Sequence, residues 1–332
     1  MKNRHLLNFS FVICFLIVLI FLSFMLGYHR FSVVDLFRVF LMRESISHDE
    51  ILFDLRLPRT TIAILVGMLL GVSGVLIQTI TRNPFASPGI MGINSGASLF
   101  VVCAIVCFHI TGSFWLSLIA FMGAFIVSCL IVVATIFPKK PLSIMELTLF
   151  GASISAFCMA LTQGLLIYNE SAIEQVIYWL SGSVSNRKLT VLTYLWPLIV
   201  IGLCFAFFNI KHLNLFHLDE TAMSGVGGDF VKIKLIVMMI VALLSGAAVA
   251  IAGPIAFIGL ITPHLTRLWF KSYNHLMLIP ASALVGACVL LLSDILSRFI
   301  LYPQELPVGI ATALIGAPIF FYLILNRKAQ TL

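Results

Sequence analysis

The sequence predicts an all-α polytopic membrane protein with about ten membrane-spanning helices. Three observations carry that prediction. Of 332 residues, 61% are apolar and only 10% are charged. The mean hydropathy is +1.12. The apolar residues also fall into runs close to the ~20 residues needed to cross a bilayer core. Soluble domains run about 45–50% apolar and about 25% charged, and a soluble globule of this size could not hide so much apolar surface. Ten spans take about 200 residues, which leaves no room for a sizeable extramembrane domain. A soluble enzyme, a disordered scaffold and a secreted disulfide domain are excluded.

Along the chain, apolar runs and their breaks place spans near 9–27, 60–80, 92–110, 114–137, 144–168, 189–208, 231–251, 254–270, 276–301 and 306–325. The basic start Met1-Lys-Asn-Arg-His5 before the run Phe9–Leu26 imitates a signal peptide. The run is long and no small-x-small cleavage site follows, so it reads as a retained first span. An even number of spans puts both termini on one side, and cation counting tests which. With the N-terminus inside, 12 Lys and Arg fall on the cytosolic side and 8 outside, a modest positive-inside bias. Three of the eight outer cations, Arg56, Arg59 and Arg298, dilute that bias and call for their own explanation. The net charge of +7 therefore reads as membrane orientation. No run of five like charges and no basic stretch with interleaved aromatics points to nucleic acid.

Two outer segments read as amphipathic and non-spanning. In 170–182, Ile173, Ile177 and Leu180 share a face, with Tyr178 and Trp179 as interface anchors. In 33–54, Phe37, Phe40 and Leu41 oppose Asp35, Arg38 and Arg43. Small residues pattern the second and seventh spans: Gly67, Gly71, Ser73 and Gly74, then Gly246, Ala250 and Gly253, each a close-packing face. Gly67, Gly74 and Pro84 recur 179 residues on as Gly246, Gly253 and Pro263. That shift is compatible with an inverted repeat of 1–170 on 185–330, and equally with the frequency of glycine and proline in membrane helices.

The seven cysteines lie in apolar runs without zinc-type spacing and read as small hydrophobes. No phosphate loop, HExxH or GxSxG occurs. Intramembrane acids are scarce, which argues against ion-coupled transport and for energy from a partner. The loop 209–230 is the informative polar piece. Leu215, Leu218, Ala222 and Met223 form an apolar stripe beside Asp219 and Glu220, and Gly225, Gly227 and Gly228 permit a sharp turn. Such a helix suits a docking element or a membrane-surface helix.

Several motifs in order make the chain resemble the FecCD-type transmembrane subunits of ABC importers, the iron-chelate and cobalamin permeases. They are Arg56-Leu-Pro-Arg59-Thr60, Gly71 to Gln78, Arg82-Asn83-Pro84-Phe-Ala-Ser-Pro88 with Gly92 to Ala97, Phe257 to Pro263-His264-Leu-Thr-Arg267, Leu291 to Arg298, and Glu305 to Pro318. The resemblance runs from about residue 50 to 325. It implies a cobalamin-importer-permease-like fold (the type II ABC importer) of two five-helix halves. The whole chain, 1–332, is then one transmembrane permease domain in the bacterial cytoplasmic membrane, with both termini cytosolic.

The implied partners are a second permease subunit, identical or related, two cytosolic ATP-binding subunits, an extracellular or lipid-anchored binding protein, and membrane lipid. The chain itself catalyses nothing and binds no cofactor or metal, because ATP and magnesium sit on the partner subunits. The resemblance places binding-protein docking on Arg56, Arg59 and Arg298, whose charge reversal is expected to spare the fold. It places ATPase coupling on Leu215, Leu218, Asp219, Glu220, Ala222, Met223, Gly225 and Gly227. Gln78, Arg82, Asn83, Pro84, Pro263, His264 and Arg267 form a cytosolic motif. For Pro263, His264 and Arg267, helix termination and anchoring stand beside a coupling role. Ser143, Ile144 and Met145 fall at the family's cytosolic gate; Glu146, where a neutral or basic residue is expected, departs from its pattern. The implied cargo is a ferric siderophore, with haem and cobalamin as rivals. The path carries no His or Tyr pair placed to ligate haem iron, which favours an intact chelate. A stand-alone secondary transporter is one alternative, and an intramembrane enzyme, which needs a polar catalytic pair at mid-depth that the sequence does not show, is the other.

Overall fold

The computed structural model describes residues 2–42, 50–136, 144–169, 173–216, 225 and 230–325. Among these it is all helical. The ten expected spans appear as α1 (Lys2–Met25), α3 (Leu57–Thr81), α4 (Ile93–Phe108), α5 (Ser113–Ile136), α6 (Ile144–Tyr168), α8 (Thr190–Phe208), α10 (Phe230–Ala252), α11 (Ile258–Phe270), α12 (His275–Ile300) and α13 (Val308–Leu325). Short α2 (Val33–Phe37), α7 (Ile173–Leu180) and α9 (Ile210–Leu215) lie between them. Seven of the described helices are long and apolar enough to cross a membrane. The other three, α4, α11 and α13, are shorter: 16 residues in α4, 13 in α11 and 18 in α13.

The core is built on three helices. The apolar stretches of α3, α10 and α12 are 78%, 78% and 67% buried, against 17% for α1 and 22% each for α6 and α8. Small residues explain why these helices approach so closely. A Cβ on Gly67 of α3 would stand 2.4 Å from the Gly286 carbonyl of α12, and one on Gly74 would stand 2.0 Å from the Gly259 carbonyl of α11. Gly71 meets the Ser282 carbonyl of α12. In the second half of the chain, Gly246 instead faces the Phe121 ring.

Two stretches of irregular backbone reach inside the bundle. Residues 82–92 follow α3, whose C-cap Arg82 is left-handed at φ 46°. Residues 253–257 precede α11 and carry positive φ at Gly253 (75°) and Phe257 (66°). Each stretch packs on the helix that follows the other: Asn94 Nδ2, in the first turn of α4, donates to the Ile255 carbonyl at 3.2 Å, and Pro88 lies against Gly259 in the first turn of α11. Since Gly74 contacts Gly259, α11 begins about 10 Å inside the Thr81 end of α3, at 1.5 Å per residue. Such backbone is tolerated at depth only where protein covers it.

The short amphipathic segments use faces other than the expected ones. In 33–54, Leu36, Val39 and Leu52 are buried with Phe31, while Phe37 is 49% exposed. A Ser32–Asp35 capping box starts α2, and the hydrogen bonds from Ser32 hold the Asp35 carboxyl below its usual pKa. In α7, Val176 and Trp179 are buried and Ile177 is exposed. Trp179 is therefore a core residue and not an interface anchor; its carbonyl packs against Gly253. Pro263 lies inside α11, which continues to Phe270, so it does not terminate the helix. It falls in the second turn, where proline removes a single backbone hydrogen bond.

Candidate functional site

Two polar clusters sit at opposite ends of the α3–α12 pair. At one end are Arg56, Arg59 and Arg298. All three arginines are turned inward, with only 5%, 9% and 4% of their surface exposed. The Arg59 Nε donates to both Asp294 oxygens at 2.9 and 3.0 Å, and its Nη1 reaches Glu305 at 2.5 Å. Arg298 Nη2 donates to Asp294 at 2.6 Å, across one turn of α12. The i, i+4 spacing of Asp294 and Arg298 announces that pair in the sequence. Nothing announces Arg59–Asp294, whose partners stand 235 residues apart.

Two of these arginines, Arg298 and Arg56, also finish α1. Arg298 Nη1 donates to the Ser23 and Leu26 carbonyls at 2.8 and 2.7 Å, and Nη2 to Ser23 Oγ. Arg56 donates to the Phe24 and His29 carbonyls and lies 4.8 Å over the Phe31 ring. A helix leaves its last carbonyls without intrahelical partners, and guanidiniums at a C-terminus also complement its dipole. Gly27 is small for the same reason: a Cβ there would stand 2.8 Å from Arg56 Nη2. The expectation that charge reversal here spares the fold is thereby corrected. Two carboxylates face three guanidiniums in this cluster, and Glu305 alone among the carboxylates is at the rim, with 39% side-chain exposure. The cluster borders a cleft of about 450 Å³ with Tyr28, Ser185 and Asn186.

At the other end, the residues of the second motif converge. Arg267 Nη1 donates to Gln78 Oε1 at 2.5 Å, and Gln78 Nε2 donates to the Leu260 carbonyl at 3.1 Å. These two residues, Arg82, Pro84 and His264 border a cavity of about 270 Å³. Asn83 instead caps its own turn, accepting from the Phe85 N–H at 2.9 Å, and Pro263 is buried within α11. Residues that sequence reasoning missed join them: Thr79, Asn214 and His275, the last 1% exposed.

Of the 209–230 loop, Leu215 closes α9 and Gly225 is exposed. Leu218, Asp219, Glu220, Ala222, Met223 and Gly227 lie outside the described residues, as does Ser143. Ile144 and Met145 open α6, and Glu146 occupies its first turn, where a carboxylate complements the positive helix end. Among the described residues no group of three or more His, Cys, Asp or Glu could hold a metal ion.

These features define a multi-pass helical membrane protein with a rigid glycine-packed core and a polar cluster at each end of it. Its kinship is specific, because the chain belongs to the FecCD transport family, whose profile matches residues 15–326. It is 39% identical over 297 residues to the probable siderophore transport system permease protein YfiZ of Bacillus subtilis (strain 168), covering 90% of this chain and 89% of that protein. It is 37% identical to the Fe(3+)-citrate import system permease protein YfmD of the same organism, over 100% of this chain and 98% of that one. The hemin transport system permease protein HmuU of Yersinia pestis is 35% identical over 85% of each chain. Among solved structures, a metal-chelate type ABC transporter in an inward-facing conformation superposes with a TM-score of 0.82 at 28% identity, over 96% of this chain and 99% of that one.

Proposed function

We propose that this chain is the transmembrane permease subunit of a bacterial ATP-driven importer for ferric siderophores. The observation that carries the reading is likeness along the whole chain: relatives named for siderophore and Fe(3+)-citrate transport align over 90% and 100% of it. The chain forms half of a translocation path and pairs with an identical or related permease. Two cytosolic subunits bind ATP and magnesium and supply the energy.

In this reading the Arg59 end faces outward and receives the binding protein, and the Thr79 end faces the ATPases with both termini. The buried arginine cluster then shapes the outer rim and contributes to its potential rather than gripping the partner, since charged rims mainly steer encounter. The loop 209–230 and the Gln78–Arg267 cluster transmit ATPase closure. Ser143 to Met145 mark the inner gate, and 1–170 and 185–330 are two related halves.

Haem is the second reading, favoured by the hemin permease among the relatives. Uptake of radiolabelled iron or labelled cobalamin by cells with and without this chain separates the cargoes. Using a panel of ferric siderophores, haem and cobalamin, the expected result is loss of one siderophore class alone. Loss of haem or cobalamin alone overturns the cargo.

A further inference from the structure

We propose that Asn214, His275 and Thr79 form a hydrogen-bonded relay that carries movement of the 209–230 segment into α3 and α12. Asn214 and His275 act as positioning residues in transport. The inference rests on the reading of that segment as the ATPase contact.

The relay joins three elements. On α9, Asn214 Oδ1 accepts from the backbone N–H of His275 at 2.9 Å and from its ring Nδ1 at 2.7 Å. A backbone amide only donates, so the oxygen is fixed at that position and Nδ1 carries a proton. Asn214 Nδ2 donates to Asn274 Oδ1 at 3.2 Å. That same oxygen caps α12 by accepting the Leu276 N–H at 3.0 Å. On its far side, His275 Nε2 meets Thr79 Oγ1 at 2.8 Å, in the last turn of α3. Asn214 thus holds both the cap and the first residue of α12, and His275 ties that point to α3.

The placement gives the contact a mechanical consequence. The α9 helix is the first, described part of the 209–230 segment, and Ile210, Leu213 and Phe216 bury its inner face. Apolar contact of that kind is non-directional and permits sliding. A hydrogen-bond chain through a fully buried imidazole is directional. It fixes the register of α9 on two core helices that touch again at Gly67–Gly286 and Gly71–Ser282. Those helices end in the Arg59–Asp294 pair. A displacement of α9 therefore enters two rods that run from one polar cluster to the other.

The test uses the whole transporter in proteoliposomes, comparing chelate transported per ATP hydrolysed. Asn214→Leu and Thr79→Val remove the polar groups at nearly constant volume, and Thr79→Ser restores the hydroxyl. The expected result is retained assembly and retained ATP hydrolysis, with transport per ATP falling about fivefold or more, the scale of one lost buried hydrogen bond. Thr79→Ser recovers the wild-type ratio. The Asn214→Leu/Thr79→Val double variant falls no further than either single one, because the two act in one chain. A wild-type ratio in both single variants overturns the relay and leaves the permease reading standing. Uptake and hydrolysis lost in parallel with folded protein also overturn it, as a purely structural role. Wild-type transport indifferent to ATP and to the ATPase subunits overturns the permease reading itself.

Discussion

Asp294 is the residue on which the arginine cluster depends. It is fully buried and is shared by Arg59 and Arg298. Removing one partner of a buried ion pair leaves an uncompensated charge and costs about 3–5 kcal/mol. Half-exposed pairs contribute about 0–1 kcal/mol. Asp294→Ala is therefore expected to lose several-fold more unfolding free energy than Glu305→Gln, by thermal or denaturant unfolding in detergent. Equal losses would contradict the assigned geometry. The same contrast governs any test of docking. Reversing Arg298 or Arg56 breaks the end of α1 before it reports on a partner, so the informative substitutions lie at the rim, of which Glu305 is part.

At the scale of elements, the glycine contacts make an ordered prediction. Gly74→Ala pushes α3 off the α11 backbone, where 2.0 Å is available, and overpacking typically costs about 1–3 kcal/mol. Gly164, inside α6, has nothing within 4 Å of its missing Cβ, so Gly164→Ala gains about 0.5–1 kcal/mol of helix propensity. Thermal unfolding of the two variants should move in opposite directions; a shared direction would mean the α3–α11 contact is looser than described.

The elements themselves were legible in the sequence, because long apolar runs between polar breaks carry their own signal. Each of the ten expected spans overlaps one helix over most of its length. Two kinds of information were not local. Which face of a short helix is buried depends on the neighbour it meets, so Val176 and Trp179 replaced Ile177 as the inner face of α7. Where a helix begins inside the bundle depends on partner backbone, so 254–257 is non-helical, with the Ile255 carbonyl held by Asn94, and α11 starts only at Ile258. The second polar cluster divided the same way. The sequence motif named Gln78, Arg82, Pro84, His264 and Arg267, which share one cavity. The pairing of Asn214, in the 209–230 loop, with His275, 61 residues on and outside any motif, was visible only once folded.

At the scale of the whole molecule, the proposed function makes this chain a passive path whose energy comes from partner subunits. The described core connects a buried ionic cluster at one end to a hydrogen-bonded cluster at the other. That arrangement suits a subunit that transmits motion between partners on opposite faces of a membrane. The proposed function is tested most directly by uptake of a ferric siderophore into proteoliposomes holding this permease, its ATPase subunits and its binding protein. The expected uptake requires ATP inside the compartment of the ATPases, stops when those subunits are omitted, and persists when the proton gradient is collapsed. Uptake by the permease alone, abolished by collapsing that gradient and indifferent to ATP, would contradict it.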